Sequence, residues 1–182
     1  MRLGRRAALE LALAAVLPPA ALAAPEPAGY RMGHYHAPTP HTLRGGRVVT
    51  TAQAARLWRD KRAAFIDVLP QAPRPSLAPG TIWHRAPHRN IPGSLWLPDT
   101  GYGALAPRTL AYFKRGLAQA KQGDQHRLLV FYCKPECWMS WNAAKRALSL
   151  GDAPVAWYPG GAEAWHKAGL PLAVTTPVPR RR

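Results

Sequence analysis

Cysteine is scarce in this chain of 182 residues: there are two, Cys133 and Cys137, and both fall within residues 131–140. Cysteines this close would close a very short loop, worth only about 2 kcal/mol on the chain-entropy estimate, so a disulfide-stapled scaffold is excluded. Acidic residues are scarce too, nine Asp and Glu against 25 Lys and Arg, which leaves a formal net charge of +16. A surface this basic attracts anions of any kind. The tempting histidine group His34, His36 and His41 has neither cysteine nor paired carboxylates beside it, so it reads as a solvated cluster and no metal site is expected. No apolar run reaches the roughly 20 residues that a membrane-spanning helix requires. There is no internal repeat.

What the chain does have is 47% hydrophobic residues, enough for one packed domain, and an abundance of proline (20) and glycine (15) that predicts long irregular connections. Residues 1–23 have the layout of a cleavable secretory signal: Arg2, Arg5 and Arg6, then an apolar stretch marred by Glu10, then Ala21-Leu22-Ala23. An uncleaved anchor is the alternative. Arg5-Arg6 begins a twin-arginine pattern that is left incomplete, so the export route stays open. The expected location is a bacterial periplasm, with no membrane span after cleavage. That compartment permits disulfides and holds little nucleic acid, so nucleic acid, the default partner of a basic cytosolic protein, is not expected. The signal supplies only a small part of the positive charge. Residues 24–46 form a Pro- and His-rich lead-in, expected to be extended on the surface. Residues 47–175 form the domain, and 176–182 a basic tail expected to be disordered.

Within the domain, strands are expected at 48–50, 63–69, 95–97, 128–132 and 155–158. Helices are expected at 52–59, capped by Thr51, at 107–121, opened by Pro107, at 141–150, capped by Gly151, and at 162–168. Alternation of this kind means a parallel sheet of about five strands with helices on both faces, an α/β fold. The proline-rich segment 70–92 between them is a long loop with a basic cluster, Arg74, His84, Arg85, His88 and Arg89, read as an anion-facing rim or a wet loop.

In such folds ligands bind at the carboxyl ends of the strands. The stretch Phe131-Tyr132-Cys133-Lys134-Pro135-Glu136-Cys137-Trp138-Met139-Ser140 begins at one of those ends and leads into a helix. Unpaired amides at a helix N-terminus favour an anion, and a thiolate is one. Cys133 is therefore the candidate nucleophile, expected in an exposed pocket ringed by main-chain amides. Cys137 is the candidate resolving thiol. Lys134, Pro135, Glu136, Trp138, Met139 and Ser140 are the candidate substrate-binding loop, with Trp138 and Trp141 as walls. The competing interpretations are two small core residues, a closed disulfide, and tryptophans that simply pack at a helix start. His126 and His166 have no tie to the loop and are assigned no role.

Four blocks resemble the rhodanese-like family in order and spacing: Ala63-Ala64-Phe65-Ile66-Asp67-Val68, Ile91-Pro92-Gly93-Ser94, Leu129-Val130-Phe131-Tyr132-Cys133, and 155–169 with Gly160-Gly161 and Trp165. The segment from Cys133 through Cys137-Trp138 to Arg146, with Trp157-Tyr158-Pro159, is similar to a periplasmic subfamily with a Cys…Cys-Trp motif, associated with catabolism that depends on pyrroloquinoline quinone. The resemblance implies sulfur transfer: Cys133 takes sulfane sulfur from a small donor or exchanges with a protein thiol, with no cofactor. It also implies that Asp67 is a buried strand aspartate paired with an arginine, Arg74 or Arg85. The family's loop often has Gly three residues after the cysteine and Arg five after; here Glu136 and Trp138 stand there, which puts ordinary thiosulfate turnover in doubt. The alternative is an inert module docking a periplasmic quinoprotein dehydrogenase or cytochrome partner through its positive charge.

Overall fold

The computed structural model describes residues 24–151 and 154–180. The expected signal, residues 1–23, lies outside them. Among the described residues no helix is long and apolar enough to cross a membrane.

Strand β5 (Leu128–Tyr132) is the middle of the sheet and is buried along its whole length. Its five apolar side chains alternate between the two faces, as the two-residue period of a strand demands. Leu129 and Phe131 enter one core, while Leu128, Val130 and Tyr132 enter the other. Beside it lie β2 (Ala63–Asp67) and β6 (Val155–Trp157), and at the edges β4 (Leu95–Trp96) and β1 (Arg47–Val48). The order is β1-β6-β5-β2-β4, all parallel. A central strand buried on both faces reads as a continuous apolar run, which is why β5 stands out in the sequence.

Helices cover both faces, as expected. On one side lie α2 (Pro107–Lys121), through Tyr112, Phe113 and Leu117, and α3 (Trp138–Ser149), through Trp138, Trp141 and Ala147. On the other lie α1 (Thr51–Arg59) and the short α4 (Gly161–Lys167), whose Trp165 is fully buried. Helix α1 is capped one residue earlier than expected: Thr50 and Gln53 form a reciprocal capping box. Helix α3 begins three residues earlier than expected, at Trp138, which makes Cys137 its N-cap.

Two further strands were not expected. β3 (His88–Asn90) comes from the long proline-rich loop and pairs antiparallel with β7 (Ala173–Thr175). This ribbon lies outside the main sheet and carries His88 to the end of β2. Residues 176–180 are also packed rather than disordered. The Val178 amide donates to the Trp96 carbonyl at 2.9 Å, Tyr112 Oη donates to the Val178 carbonyl at 2.9 Å, and Arg180 reaches Asp99 at 2.7 Å. The lead-in 24–46 lies over α3 and the cysteine loop, as the site description shows.

Candidate functional site

The loop after β5 turns back on itself and α4 closes against it. The Ala162 amide donates to the Cys133 carbonyl at 3.0 Å. Gly161 makes this approach possible. Its φ is +58°, and a Cβ there would stand 2.5 Å from the Cys133 carbonyl oxygen. The loop itself contains a left-handed residue, Glu136 at φ +52°, at the position where the family often has glycine.

Cys133 is buried, 2% exposed, rather than open in a pocket, and among main-chain groups it is Lys134 that lowers its pKa. Its thiol has three acceptors in reach: Ser140 Oγ at 3.3 Å and the carbonyl oxygens of Lys134 and Cys137 at 3.6 Å each. One S–H hydrogen has three oxygens to choose from, with the Ser140 hydroxyl nearest. The Ser140 hydroxyl and the Lys134 main chain favour a thiolate here, but burial outweighs them. Burial pushes the Cys133 thiol well up from its ordinary value, and the adjacent Cys137 pushes it further.

Cys137 behaves in the opposite way. It is equally buried, at 1% exposure, but sits at the N-cap of α3. The neighbouring Cys133 thiol does most to lower its pKa, to about 7, against the opposing effect of burial. The main chain of Met139, Lys134 and Ser140 lowers it further. Cys137 makes no formed side-chain capping bond, so the helix amides act on its sulfur as dipoles. Both cysteines are free. Of the two thiols, Cys137 is therefore the one inclined to ionise.

Ser140 ties this arrangement to the core. Its hydroxyl accepts from Trp157 Nε1 at 3.0 Å and from Cys133, and donates to the Cys137 carbonyl at 3.1 Å. A hydroxyl has one donor and two acceptor sites, and all three are used.

The lead-in covers the Cys137 side. His36 forms an isolated antiparallel bridge with Cys137, the Ala37 amide donates to Glu136, and the Trp138 amide donates to Tyr35 at 2.9 Å. The Trp138 and Trp141 indole N–H groups donate to the carbonyls of Pro38 and Thr42. Asn142 holds Arg31 by its amide and its carbonyl, each at 2.9 Å. Histidines 34, 36 and 41 are exposed on this strap.

Access lies on the other side. A cavity of about 250 Å³ opens at the carboxyl ends of the strands, lined by Asp67, His88, Cys133, Lys134, Glu163 and His166 among others. Of the expected substrate-binding loop, Lys134 lines this cavity. Pro135 and exposed Glu136 lie outside its lining, Met139 is buried in the core, Ser140 stands behind the sulfurs, and Trp138 faces the lead-in with Trp141. His166, given no role from the sequence, faces the cavity from α4.

Asp67 is buried, as expected, but its partner is neither Arg74 nor Arg85. His88 Nε2 lies 2.6 Å from its Oδ2, and the Leu69 amide donates to Oδ1 at 2.9 Å. Arg85 instead reaches the Ala72 carbonyl, and Arg74 is exposed. Burial raises the Asp67 carboxyl above its ordinary value, while His88 and the Leu69 amide pull it back. The only cue in the sequence was His88 itself, hidden in a loop whose prolines gave no strand period.

No curated protein matches the chain. Among solved structures, a protein of unknown function from Rhodopseudomonas palustris, described as a possible tyrosine phosphatase, is 24% identical. The match covers 71% of this chain and 86% of that one, with a TM-score of 0.45. A Bacillus halodurans protein is 18% identical over 71% of this chain and 78% of its own, with a TM-score of 0.47. A thiosulfate sulfurtransferase from Pseudomonas aeruginosa is 19% identical over 75% of this chain, with a TM-score of 0.47, and the match spans 21% of that longer protein. The model of the rhodanese-like domain matches residues 50–168, which contain the five-stranded sheet apart from its edge strand β1, all four helices, and both cysteines. A parallel sheet with helices on both faces, a cysteine loop leaving its middle strand, and a family match over most of the domain agree, and the chain belongs to the rhodanese-like domain family.

Proposed function

We propose that this protein is exported to the periplasm and moves sulfur, as sulfane sulfur or by thiol–disulfide exchange, with Cys133 as the attacking thiol and Cys137 as its base and resolving partner. The observation that carries this reading is the division of labour between the two sulfurs. Cys133 lines the cavity, and Cys137, behind it at the N-cap of α3, is the more acidic of the two. As Cys133 attacks the outer sulfur of a persulfide R–S–SH, its proton passes to the Cys137 thiolate. A Cys133 persulfide forms, the S–S bond of the donor breaks, and R–S⁻ departs to be protonated. With a disulfide donor, Cys137 then attacks the mixed disulfide, leaving a Cys133–Cys137 disulfide and two released thiols.

The test is intact mass after incubation with a small persulfide. The wild type gains one sulfur atom, Cys137→Ser gains it more slowly, and Cys133→Ser does not gain it. Loading of Cys133→Ser at the wild-type rate refutes the assignment.

A second reading is favoured by the charge of +16 and the shelter of both thiols: an inert module docked on an acidic quinoprotein dehydrogenase or cytochrome in catabolism that uses pyrroloquinoline quinone. Binding to such a partner that falls steeply with salt and ignores both cysteine substitutions supports this reading over sulfur transfer.

A further inference from the structure

The cavity that Cys133 lines also holds a histidine already oriented by a buried carboxylate. His88 is fixed on two sides. Its Nε2 meets Asp67 Oδ2 at 2.6 Å, and Trp96 stacks on its ring at 3.9 Å between centroids and 27° between planes. Asp67 is 1% exposed and accepts from the Leu69 amide with its other oxygen, so the carboxylate has no freedom to turn away. The histidine side chain keeps 15% exposure, and its Nδ1 makes no protein hydrogen bond among the described residues. A histidine with one nitrogen tethered to an aspartate, its other nitrogen free, and a thiol in the same cavity has the composition of a proton-transfer site. A purely structural Asp–His pair would not need to line the cavity.

We propose that His88 is the general acid of the sulfur-transfer step, donating the proton of its Nδ1 to the departing thiolate, and that Asp67 is its positioning residue. This rests on the reading of Cys133 as the attacking thiol. The step balances. Cys133–SH, the Cys137 thiolate, the His88 imidazolium and R–S–SH become Cys133–S–SH, Cys137–SH, neutral His88 and R–SH. The Cys133–sulfur bond forms as the donor's S–S bond breaks, no external oxidant or reductant is consumed, and the net charge of the four groups stays at zero. The consequence is a substrate preference. Donors that leave as basic alkyl thiolates need the proton, whereas donors that leave as acidic aromatic thiolates do not. The charged and titratable groups facing His88 are Asp67 from β2, Arg89 from its own strand, Lys134 from the cysteine loop, and Glu163 and His166 from α4.

The experiment compares two donors in single turnover: glutathione persulfide, with an alkyl thiol leaving group, and a bis(nitroaryl) disulfide, read by release of the first aromatic thiolate. His88→Gln, which keeps an amide to bond Asp67, slows the persulfide reaction by about 100-fold. It changes the aromatic reaction less than threefold, an expectation of the general-acid argument. Asp67→Asn gives the same selectivity with a smaller loss. In the wild type, the persulfide rate falls with rising pH as the imidazolium is lost, a limb absent from the aromatic profile, and this arm needs no variant to fold. Equal slowing of both donors by His88→Gln, or matching pH profiles, overturns the role of His88. Undiminished reaction of Cys133→Ser with both donors would instead overturn the reading of the sulfur site, so the two failures are distinguishable.

Discussion

Ser140→Ala removes one oxygen and breaks three hydrogen bonds at once. The Trp157 side chain is fully buried, and its indole N–H has the Ser140 hydroxyl as its partner at 3.0 Å. With that oxygen gone, a buried donor is stranded, which costs about 1–3 kcal/mol. The Cys137 carbonyl also loses the bond at 3.1 Å, a further loss of about 1 kcal/mol. The Cys133 thiol keeps two carbonyl acceptors, so its share is small. The sum is about 2–4 kcal/mol, or a fall in Tm of roughly 5–15 °C for a domain of this size. Urea denaturation followed by tryptophan fluorescence measures it. A double-mutant cycle isolates the contact: Trp157→Phe costs less in the Ser140→Ala background than in the wild type, with a coupling of about 1–2 kcal/mol. Strict additivity, or a Ser140→Ala loss below about 0.5 kcal/mol, would refute the claim that this hydroxyl joins the cysteine loop to the sheet.

Ultraviolet titration of the native protein should show one thiolate appearing at about pH 7, from Cys137, and Cys137→Ser should abolish it. Because its folded pKa is depressed, Cys137 contributes stability above the ordinary thiol value that is lost as pH falls through about 7. Cys133, with a raised pKa, withdraws stability above the ordinary thiol value, so the pair contributes most between those two points. Gly161→Ala places a Cβ 2.5 Å from the Cys133 carbonyl oxygen at φ +58° and should cost at least about 2 kcal/mol in thermal unfolding, with slower sulfur loading of Cys133. Asn142→Ala frees the Arg31 main chain from both of its bonds and should make Cys137 several-fold faster to alkylate, as read by peptide mass spectrometry; an unchanged rate would mean that the strap does not shield it.

The parallel sheet was legible because its inner strands are buried on both faces and carry apolar runs that end at turn residues, with 128–132 the clearest. The helix after the cysteines was legible in its body but not at its start. Trp138, Met139 and Ser140 follow no conventional capping residue, and a cysteine at the N-cap gives little local signal. That offset of three residues puts the helix N-terminus at Cys137. Which thiol is the more acidic could not be read from spacing, since it depends on burial and on the contact between the two sulfurs. The His88–Asp67 contact and the β3–β7 ribbon join segments 21 and more than 80 residues apart, with strands of three residues, too short to show a period. The grip of residues 31–42 on α3 is of the same kind: it is made of single carbonyls and amides that no composition reports.

That grip sets the order in which the thiols become safe. Residues 35–37 join residues 136–138 only after some 100 intervening residues have found their places, a closure that pays its entropy late. A chain that has assembled its sheet but not yet wrapped its beginning around α3 already presents two neighbouring thiols, one of them acidic, with a whole flank undressed. In an oxidising compartment, maturation of such a chain would be a race between wrapping and adventitious oxidation, and the winner would decide whether the sulfurs end as a pair of thiols or as a premature bond.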